Sequence, residues 1–385
     1  MSAPASAASL SERDEQAIIR RALQDPTSPA PTPSGRDVAA LVEAASRHRV
    51  LLLLGWVLRA AGTLNDWPAQ LVEECLRAER GAVPVDLVRH SELTRVLADL
   101  TSAGVRVLPF KGAALAHTHY PAPHVRVHTD TDLLVAERDV PILEDVLGRL
   151  GYIRPPETSG RLVSYQSHYR RTDHHGVIHP FDVHWKISNM QSLADRFIFE
   201  ELWESRVPVP ALGSSADTID GVHALLLALI HLAGHHPGSR DLLWIYDLHL
   251  VASRLTPEEM RQLLALAAGR GLCQIAFDGL ARARATYGTP GLDLAVDALR
   301  DRAAGRECMA LIHGPRSQVD VLRLDLGALP GWRARGRLIR EHLLPSRSYM
   351  RARYGVRSNL LLPGLYVWRV LHGAPKWLRN LDADV

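Results

Sequence analysis

Two short stretches decide the fold of this chain: FKGAA at residues 110–114 and DTDLLV at residues 130–135. The first ends a predicted strand, Val105 to Phe110, and its glycine opens a predicted helix, Gly112 to Tyr120. A strand, a glycine turn and a helix start present backbone N–H groups where a phosphate is favoured. The second contains a predicted strand, Thr131 to Val135. We therefore expect an anion site beside a strand that begins with acidic residues.

The acidic residues of these strands indicate a metal site. Asp130 and Asp132 are two positions apart, so both carboxylates should emerge on one face of the strand. Paired carboxylates repel each other unless a cation lies between them, and oxygen ligands select Mg²⁺. The later segment FDVH adds Asp182, with His184 on the same face. Three carboxylates on adjacent strands could hold two Mg²⁺ ions, one under a triphosphate and one activating an incoming hydroxyl.

The cations near these motifs are unusual for this chain. Of 45 Lys and Arg residues only three are lysine, namely Lys111, Lys186 and Lys376. Two of the three flank the motifs, which suggests a task that arginine does not perform. Lys111 is predicted to bind phosphate, the alternative being a surface cation at a turn. Arg126 and Lys186 are predicted to bind the triphosphate or the acceptor, unless they only balance the aspartates.

Working outward, the chain divides into five predicted regions. Residues 1–35 contain a short capped helix and a proline-rich linker, and residues 36–103 form an N-terminal region of three or four helices. Residues 104–212 form the sheet-bearing core, residues 213–330 a C-terminal helical domain, and residues 331–385 an arginine-rich basic tail. The predicted class is α+β, a small mixed β-sheet flanked by helical regions.

Periodicity gives the remaining elements. Strands are predicted at Ser164–Arg171 and Val177–Ile187, and helices near Glu137–Leu150, Ala216–Leu232, Arg240–Ser253, Pro257–Gly269 and Gln274–Tyr287. Four prolines, at positions 330, 345, 363 and 375, lie just before or within the tail, so its helices are predicted to be short or broken.

Composition excludes several classes of protein. Of the 385 residues 46% are hydrophobic and 23% charged, which is ordinary for a globular chain and excludes disorder as the main state. The longest apolar run, Val50–Leu58, is far shorter than the roughly 20 residues of a membrane-spanning helix. The N-terminus lacks the apolar stretch of a secretory signal, so a cytoplasmic location is expected. The three cysteines lie far apart, which argues against both a disulfide framework and a cysteine-based zinc site.

The basic tail admits three interpretations. Residues 331–385 contain eleven basic residues and three acidic ones, although the whole chain carries a formal charge of only +3. Arginine interleaved with Trp332, Tyr349 and Tyr354 suits contact with RNA or a nucleotide. The segment GLYVWRVLHGAPKWLRN could instead lie on an anionic membrane. A third possibility is an arginine-rich surface whose stems pack on the helical domain.

Three further polar features have structural alternatives. His231 and His235 are one helical turn apart beside His236, but no HExxH glutamate accompanies them, so a structural role at a helix end is favoured. Asp247 interrupts an apolar stretch and is expected to pair with an arginine or a helix N-terminus. His184 is expected to orient Asp182 or touch a nucleotide, with a packed histidine as the alternative.

The order of these motifs resembles the polymerase-beta-type nucleotidyltransferase fold. More narrowly, the chain resembles the bacterial uncharacterised nucleotidyltransferase family over roughly residues 40 to 370. The similar segments are FKGAALAHTHYP, RVHTDTDLLV, FDVHWKIS, LLWIYDLHLV and LLPSRSYMRARYG. The resemblance implies transfer of a nucleoside monophosphate from an NTP to an acceptor hydroxyl or phosphate, with release of pyrophosphate. ATP is the expected donor on abundance alone, because nothing in the sequence reads the base.

The resemblance also implies roles for individual residues. Asp130 and Asp132 would hold both Mg²⁺ ions, with Mn²⁺ as a substitute, while Asp182 would complete the acceptor-side metal and help to deprotonate the nucleophile. Lys111, Gly112 and Ala113 would seat the β- and γ-phosphates. The fold commonly has Gly-Ser or Gly-Gly where this chain has Gly112-Ala113, so backbone donors would replace a serine hydroxyl here.

Two questions stay open at this point. The acceptor is a small molecule, a peptide or protein, or a tRNA end. The second hypothesis is a non-catalytic nucleotide- or RNA-binding module that retains the fold; the Gly-Ala turn favours it, whereas the intact carboxylates argue against it.

Overall fold

The computed structural model of the chain describes residues 10–32, 34–156, 160, 162–236, 239, 241–302 and 318–377. Within these ranges a small mixed sheet is flanked by helices that precede it and follow it in sequence, which confirms the predicted α+β class. Residues 1–9 and 378–385, together with Cys308, lie outside the described residues.

The main sheet has four strands in the order β1-β2-β4-β3. They are β1 Val107–Phe110, β2 Thr131–Val135, β3 Gln166–Thr172 and β4 Ile178–His184. The central pair, β2 and β4, is parallel, while β1 and β3 pair antiparallel at the two edges. All four strands lie within two or three residues of their predicted bounds, and β2 coincides with its prediction. A second, two-stranded ladder joins β5 Val207–Pro208 to β6 Asp217–Thr218.

The two faces of the main sheet are buried in different apolar clusters. On one face Leu108, Phe110 and Leu134 belong to a large core shared with the surrounding helices. On the other face Leu133 and Val183 belong to a smaller core with the second half of α4 and with α6. Alternation along each strand produces this division. The sheet is therefore fixed from both sides, which gives its strand ends a defined position.

Four helices precede the sheet: α1 Glu12–Gln24, α2 Gly35–Arg47, α3 Leu51–Ala60 and α4 Ala69–Ser102. The predicted cap of α1 is confirmed, because Ser11 and Asp14 form a capping box. The region predicted to hold three or four helices holds three, and α4 accommodates Pro84 in its interior.

Further helices lie within and after the sheet region in sequence. They are α5 Lys111–Thr118, α6 Val140–Arg149, α7 Gln191–Ala194, α8 Phe199–Glu204, α9 Gly221–His235, α10 Leu242–Ala252, α11 Pro257–Gly269, α12 Cys273–Tyr287, α13 Leu292–Arg302 and α14 Gln318–Ala328. Side chains of Asp220, Asp241 and Thr256 cap α9, α10 and α11. Helix α11 coincides with its prediction. The large core runs from Ile19 in α1 to Leu299 in α13. The boundaries of the five predicted regions stay predictions.

Three helices form the tail: α15 Gly331–Leu343, α16 Arg347–Tyr354 and α17 Leu362–Trp377. The prediction of short or broken helices is wrong for α17, which has 16 residues and includes Pro363 and Pro375. Pro363 is tolerated because it occupies the first turn, where backbone N–H groups have no helical partner. Glu341 ties α15 to the core by accepting hydrogen bonds from the backbone N–H groups of Leu162 and Val163 at 2.8 and 3.2 Å. Among the described helices none is long and apolar enough to cross a bilayer.

Candidate active site

The turn between β1 and α5 carries an unusual backbone. Lys111 is the first residue of α5 and has a φ of 54°, in the left-handed region. That region costs an L-residue about 1–2 kcal/mol relative to ordinary helical geometry. The Lys111 side chain reaches the next strand, where Nζ lies 2.7 Å from Oδ1 of Asp132. The turn thus places an ammonium group beside a carboxylate at the end of the sheet.

The two strand carboxylates lie side by side. Asp132 of β2 is in register with Asp182 of β4 in the parallel ladder. Ligand atoms of Asp132, Asp182 and His184 all lie within 4.8 Å of one another, the one such group of three found among the described residues. Nε2 of His184 is 2.9 Å from Oδ1 of Asp132 and 3.4 Å from Nζ of Lys111. Parallel pairing of β2 with β4 is what brings these side chains together.

Asp130 lies just before β2, outside the strand. It lines the same cavity as Asp132 and Asp182 but is not one of the three clustered ligands. Burial, together with the nearby carboxylates of Asp132 and Asp182, raises the pKa of Asp130 to about 6, against the opposing charge of Lys111. Asp130 is therefore a carboxyl group that ionises with difficulty in the absence of an added cation.

Asp132 has the opposite electrostatic behaviour. Burial alone would raise its pKa, but the Lys111 ammonium and the hydrogen bond from His184 outweigh burial and lower it. Burial and Lys111 together lower the pKa of His184, so its imidazole is neutral at pH 7. A neutral ring with its proton on Nε2 donates to Asp132. The Asp132 carboxylate is consequently ionised under ordinary conditions.

His168 is a site residue that sequence reasoning missed. It lies on β3, in register with Asp182, and its Nδ1 is 2.5 Å from Oδ1 of Asp182. Asp182 therefore has Asp132 on one side and His168 on the other. Residues 164–171 were predicted as a strand, but nothing in the sequence indicated which residue of that strand would face Asp182.

Arg126 is buried in a network on the helical side of the cavity. Its Nε and Nη2 donate to Oδ1 and Oδ2 of Asp247 on α10 at 2.9 and 2.6 Å, and Nη1 donates to the carbonyl of Val127. Tyr120 donates to the same Asp247 carboxylate at 2.7 Å. The arginine partner expected for Asp247 is thus Arg126.

Gly112 is needed where Arg126 passes the start of α5. A Cβ atom added to Gly112 would lie only 3.0 Å from Nη1 of Arg126 and 3.2 Å from its Cζ. Contacts that short are tighter than ordinary van der Waals packing, and the network with Asp247 restrains the guanidinium. The glycine therefore keeps the turn open beside Arg126.

Two other predicted nucleotide-binding residues do not line this cavity. Ala113 is almost completely buried, so only its backbone N–H remains a candidate donor. Lys186 lies against a separate surface depression, where its Nζ is 2.9 Å from Asp195 and 4.2 Å from the ring of Tyr165. The structure brings together Lys111, Gly112, Arg126, Asp130, Asp132, Asp182 and His184, but not Lys186.

The cavity between the sheet and the helices has a volume of about 390 Å³, within the roughly 300–1,000 Å³ of typical ligand sites. Its sheet side carries the carboxylates and Lys111. Its helical side carries Arg49, His231, His235, His236 and Trp244. The three histidines lie at the C-terminal end of α9, as expected for a helix-end cluster, and the ring centroids of His236 and Trp244 are 3.5 Å apart with the planes tilted by 34°.

The clustered donors fit a divalent cation. Two carboxylates suit Mg²⁺ or Mn²⁺, and an imidazole is a ligand for many transition metals. The Lys111 ammonium already supplies positive charge to Asp132, so this group of side chains is organised around a cation. Asp130 adds an acidic group that a further positive charge would favour in its ionised form.

Comparison with known proteins agrees with this geometry. The family model for uncharacterised nucleotidyltransferases matches residues 34–288, well over half of the chain and the whole of the site. No protein of curated function matches the chain. The match covers the turn at Lys111, the paired strands β2 and β4, and the helices that close the cavity. The chain belongs to the uncharacterised nucleotidyltransferase family.

Proposed function

We propose that this protein transfers a nucleoside monophosphate from an NTP to an acceptor hydroxyl or phosphate and releases pyrophosphate. The observation that carries the proposal is the side-by-side placement of Asp132 and Asp182 on parallel strands, with His184 beside them. Nucleotidyl transfer needs carboxylates at this spacing to hold cations against a triphosphate. Membership of a nucleotidyltransferase family supports the same reaction class.

Mg²⁺ is the proposed cofactor, in two ions, with Mn²⁺ as a substitute. When bound, such ions neutralise triphosphate charge and favour ionisation of the attacking hydroxyl. Asp132 and Asp182 would hold them, with Asp130 as a further ligand once a cation makes its ionisation favourable. His184 would keep Asp132 oriented through the hydrogen bond at 2.9 Å.

The phosphates would be seated at the start of α5. Backbone N–H groups of Gly112 and Ala113 point from a helix N-terminus, where anions are favoured. Lys111 would exchange its contact with Asp132 for the β- and γ-phosphates when the metal arrives. A lysine suits this exchange because its single ammonium on a flexible stem can serve either partner.

On the acceptor side, Asp182 would accept the proton of the attacking hydroxyl. His168 contacts this carboxylate at 2.5 Å and would hold it in position. Arg126, bound to Asp247, would form part of the cavity lining on its helical side and would not contact the phosphates directly. ATP is the proposed donor. The proposed acceptor is a small molecule, a peptide or protein, or a tRNA end, in the cytoplasm.

One observation favours the second hypothesis, a nucleotide- or RNA-binding module without catalysis. The Lys111 ammonium forms an ion pair with the carboxylate of Asp132 at 2.7 Å, so a metal cation must compete with this existing pair. The alanine at 113 also leaves the turn without a hydroxyl. A binding module would keep nucleotide affinity and show no transfer.

A labelling experiment separates the two hypotheses. The protein is incubated with each α-labelled NTP, a cell lysate and Mg²⁺, Mn²⁺ or EDTA, and label is followed into protein, RNA and small-molecule fractions. We expect metal-dependent labelling that falls at least about a hundredfold in Asp132→Asn and in Asp182→Asn. Asp145→Asn, at a side chain 66% exposed on α6, is the matched control. NTP binding without any label transfer would favour the binding module.

A further inference from the structure

The tail helices α15–α17 expose an unusual amount of apolar surface. Of the seventeen large apolar residues that are exposed in the described chain, nine lie between residues 331 and 372. They are Trp332, Ile339, Leu344, Leu360, Leu361, Val367, Trp368, Val370 and Leu371. Single exposed apolar residues are normal on a protein surface, but a concentration of this kind marks an interaction site.

The exposed residues of α17 form one continuous face. Val367, Trp368 and Leu371 are 60%, 48% and 67% exposed and recur at helical spacing. Leu360, 90% exposed, precedes them in the 3₁₀ turn Asn359–Leu361. On the opposite side of α17, Leu362 is buried and the Tyr366 hydroxyl donates to the Pro345 carbonyl at 2.7 Å. The apolar face is therefore the outer face of a helix already packed on its other side.

The same three helices are strongly cationic. Between residues 331 and 372 there are nine arginines and one acidic residue, Glu341, a difference of eight positive charges. Glu341 is buried and bonded to Arg337 and to backbone N–H groups of the core. Trp332 and three arginines, at positions 333, 337 and 340, line a shallow depression on α15. Positive charge and exposed apolar side chains thus occupy the same three helices.

We propose that the tail helices bind the surface of a bilayer that contains anionic lipids. The arginines would contact lipid phosphates, and the outer face of α17 would lie among the upper acyl chains. An RNA backbone would satisfy the arginines but leave Leu360, Trp368 and Leu371 in water, whereas a bilayer surface satisfies both. No membrane-spanning helix is required, since α17 lies in the plane of the interface.

Vesicle flotation of the full-length protein tests this surface. The probes are vesicles of phosphatidylcholine alone and of phosphatidylcholine with phosphatidylglycerol, at low and high salt. We expect binding only to the anionic vesicles, weakened by salt because screening shortens the reach of the charges. The triple variant Leu360→Ser, Trp368→Ser, Leu371→Ser keeps every arginine. Its partition coefficient should fall at least about tenfold.

The matched control is Leu87→Ser with Leu294→Ser, two leucines that are 63% and 84% exposed elsewhere on the molecule. It should bind vesicles as the wild type does, and both variants should keep the wild-type unfolding temperature. Failure of the wild type to bind anionic vesicles would overturn the proposal. A triple variant that binds anionic vesicles as the wild type does would also overturn it. The same holds if sedimentation without lipid shows a dimeric wild type and a monomeric triple variant. RNA binding that is equal in the wild type and the triple variant, without vesicle binding, would assign the surface to nucleic acid.

Discussion

Asp130 and Asp132 are two residues apart and experience opposite electrostatic environments. Asp132 forms an ion pair with the ammonium of Lys111 and accepts a hydrogen bond from His184, so its ionised form is stabilised in the folded protein. Asp130 is half-buried and lies near the carboxylates of Asp132 and Asp182, so its ionised form is disfavoured. Titratable neighbours whose pKa values are driven apart are characteristic of sites that bind cations or move protons. The pair is therefore the most informative feature at the scale of single residues.

Replacing Asp130 with asparagine should stabilise the metal-free protein. The pKa of Asp130 is raised from 3.8 to about 6, so its ionisation costs stability as the pH rises through this interval, because the unfolded chain releases the proton more readily. A two-unit shift corresponds to about 3 kcal/mol, and partial exposure reduces this to about 1–2 kcal/mol. Urea unfolding in EDTA should show that gain at pH 7 and a smaller gain towards pH 4.

The exposed Asp145→Asn exchange on α6 is the control for this titration and should change the free energy of unfolding by less than about 0.5 kcal/mol. A gain at Asp130 that is the same at pH 4 and pH 7 would contradict the assignment, because it would not arise from a titrating carboxyl.

At the scale of elements, Asp247 links α10 to the segment that leads into β2. Its carboxylate receives Arg126 and Tyr120, and all three side chains are buried. Gly112, the second residue of α5, packs against the same guanidinium. One buried ion pair therefore positions the start of α5, the approach to β2 and the helical wall relative to one another. Burial alone would lower the pKa of Arg126, but Asp247 outweighs it, so the guanidinium stays charged.

Breaking this link should be costly. Asp247→Asn leaves Arg126 charged and buried without a carboxylate, and loss of one partner from a buried pair costs about 3–5 kcal/mol. Because the amide still accepts a hydrogen bond, we expect about 3 kcal/mol in the free energy of unfolding, measured in urea at pH 7. The comparison is Asp278→Asn on α12, which removes a partly exposed pair with Arg282 at 3.5 Å and should cost at most about 1 kcal/mol. Equal losses in the two variants would show that the link is not a structural anchor.

At the scale of the whole molecule, the core extends beyond the part that matches the family model. That model begins at residue 34, but α1 ends before it and places Ile19, Ala22 and Leu23 in the large core. Arg20 on the same helix also donates to the carbonyl of Ala285 on α12 at 3.4 Å. The first helix thus joins the C-terminal helices instead of standing apart as an extension. The cavity therefore rests on a core that α1 helps to complete.

Truncating a single side chain of α1 tests this. Ile19 is fully buried, and Ile→Ala at such a position removes about 2–5 kcal/mol through lost burial and a residual cavity. We expect about 3 kcal/mol for Ile19→Ala by thermal or urea unfolding. Ile142→Ala on α6, at a residue 45% exposed, should cost under about 1 kcal/mol. A loss at Ile19 no larger than that at Ile142 would mean that α1 is only loosely attached.

The sequence by itself determined most of the secondary structure. A change from helical spacing to short strand-like segments indicated the four strands of the main sheet, and apolar spacing, with a cap at Ser11, indicated the helices. These signals are local, since each depends on neighbouring residues alone. These signals were weakest at α17, where the prolines suggested a broken helix. Pro363 does not break it, because backbone N–H groups in the first turn have no helical partner. The positions of Lys111 after β1, of Asp132 in β2 and of Asp182 in β4 followed from the same local reasoning.

Only the tertiary structure decided which of these residues meet. The parallel register of β2 with β4 set Asp132 beside Asp182, and the edge pairing of β3 added His168. Asp130 lines the same cavity but is not one of the three clustered ligands, while Lys186 contacts Asp195 on another surface. Register and edge pairing join residues 14 to 50 positions apart in the chain, and a local pattern carries no information about such partners. The strands could therefore be predicted from the sequence, but which side chains meet in the site depended on how the strands paired.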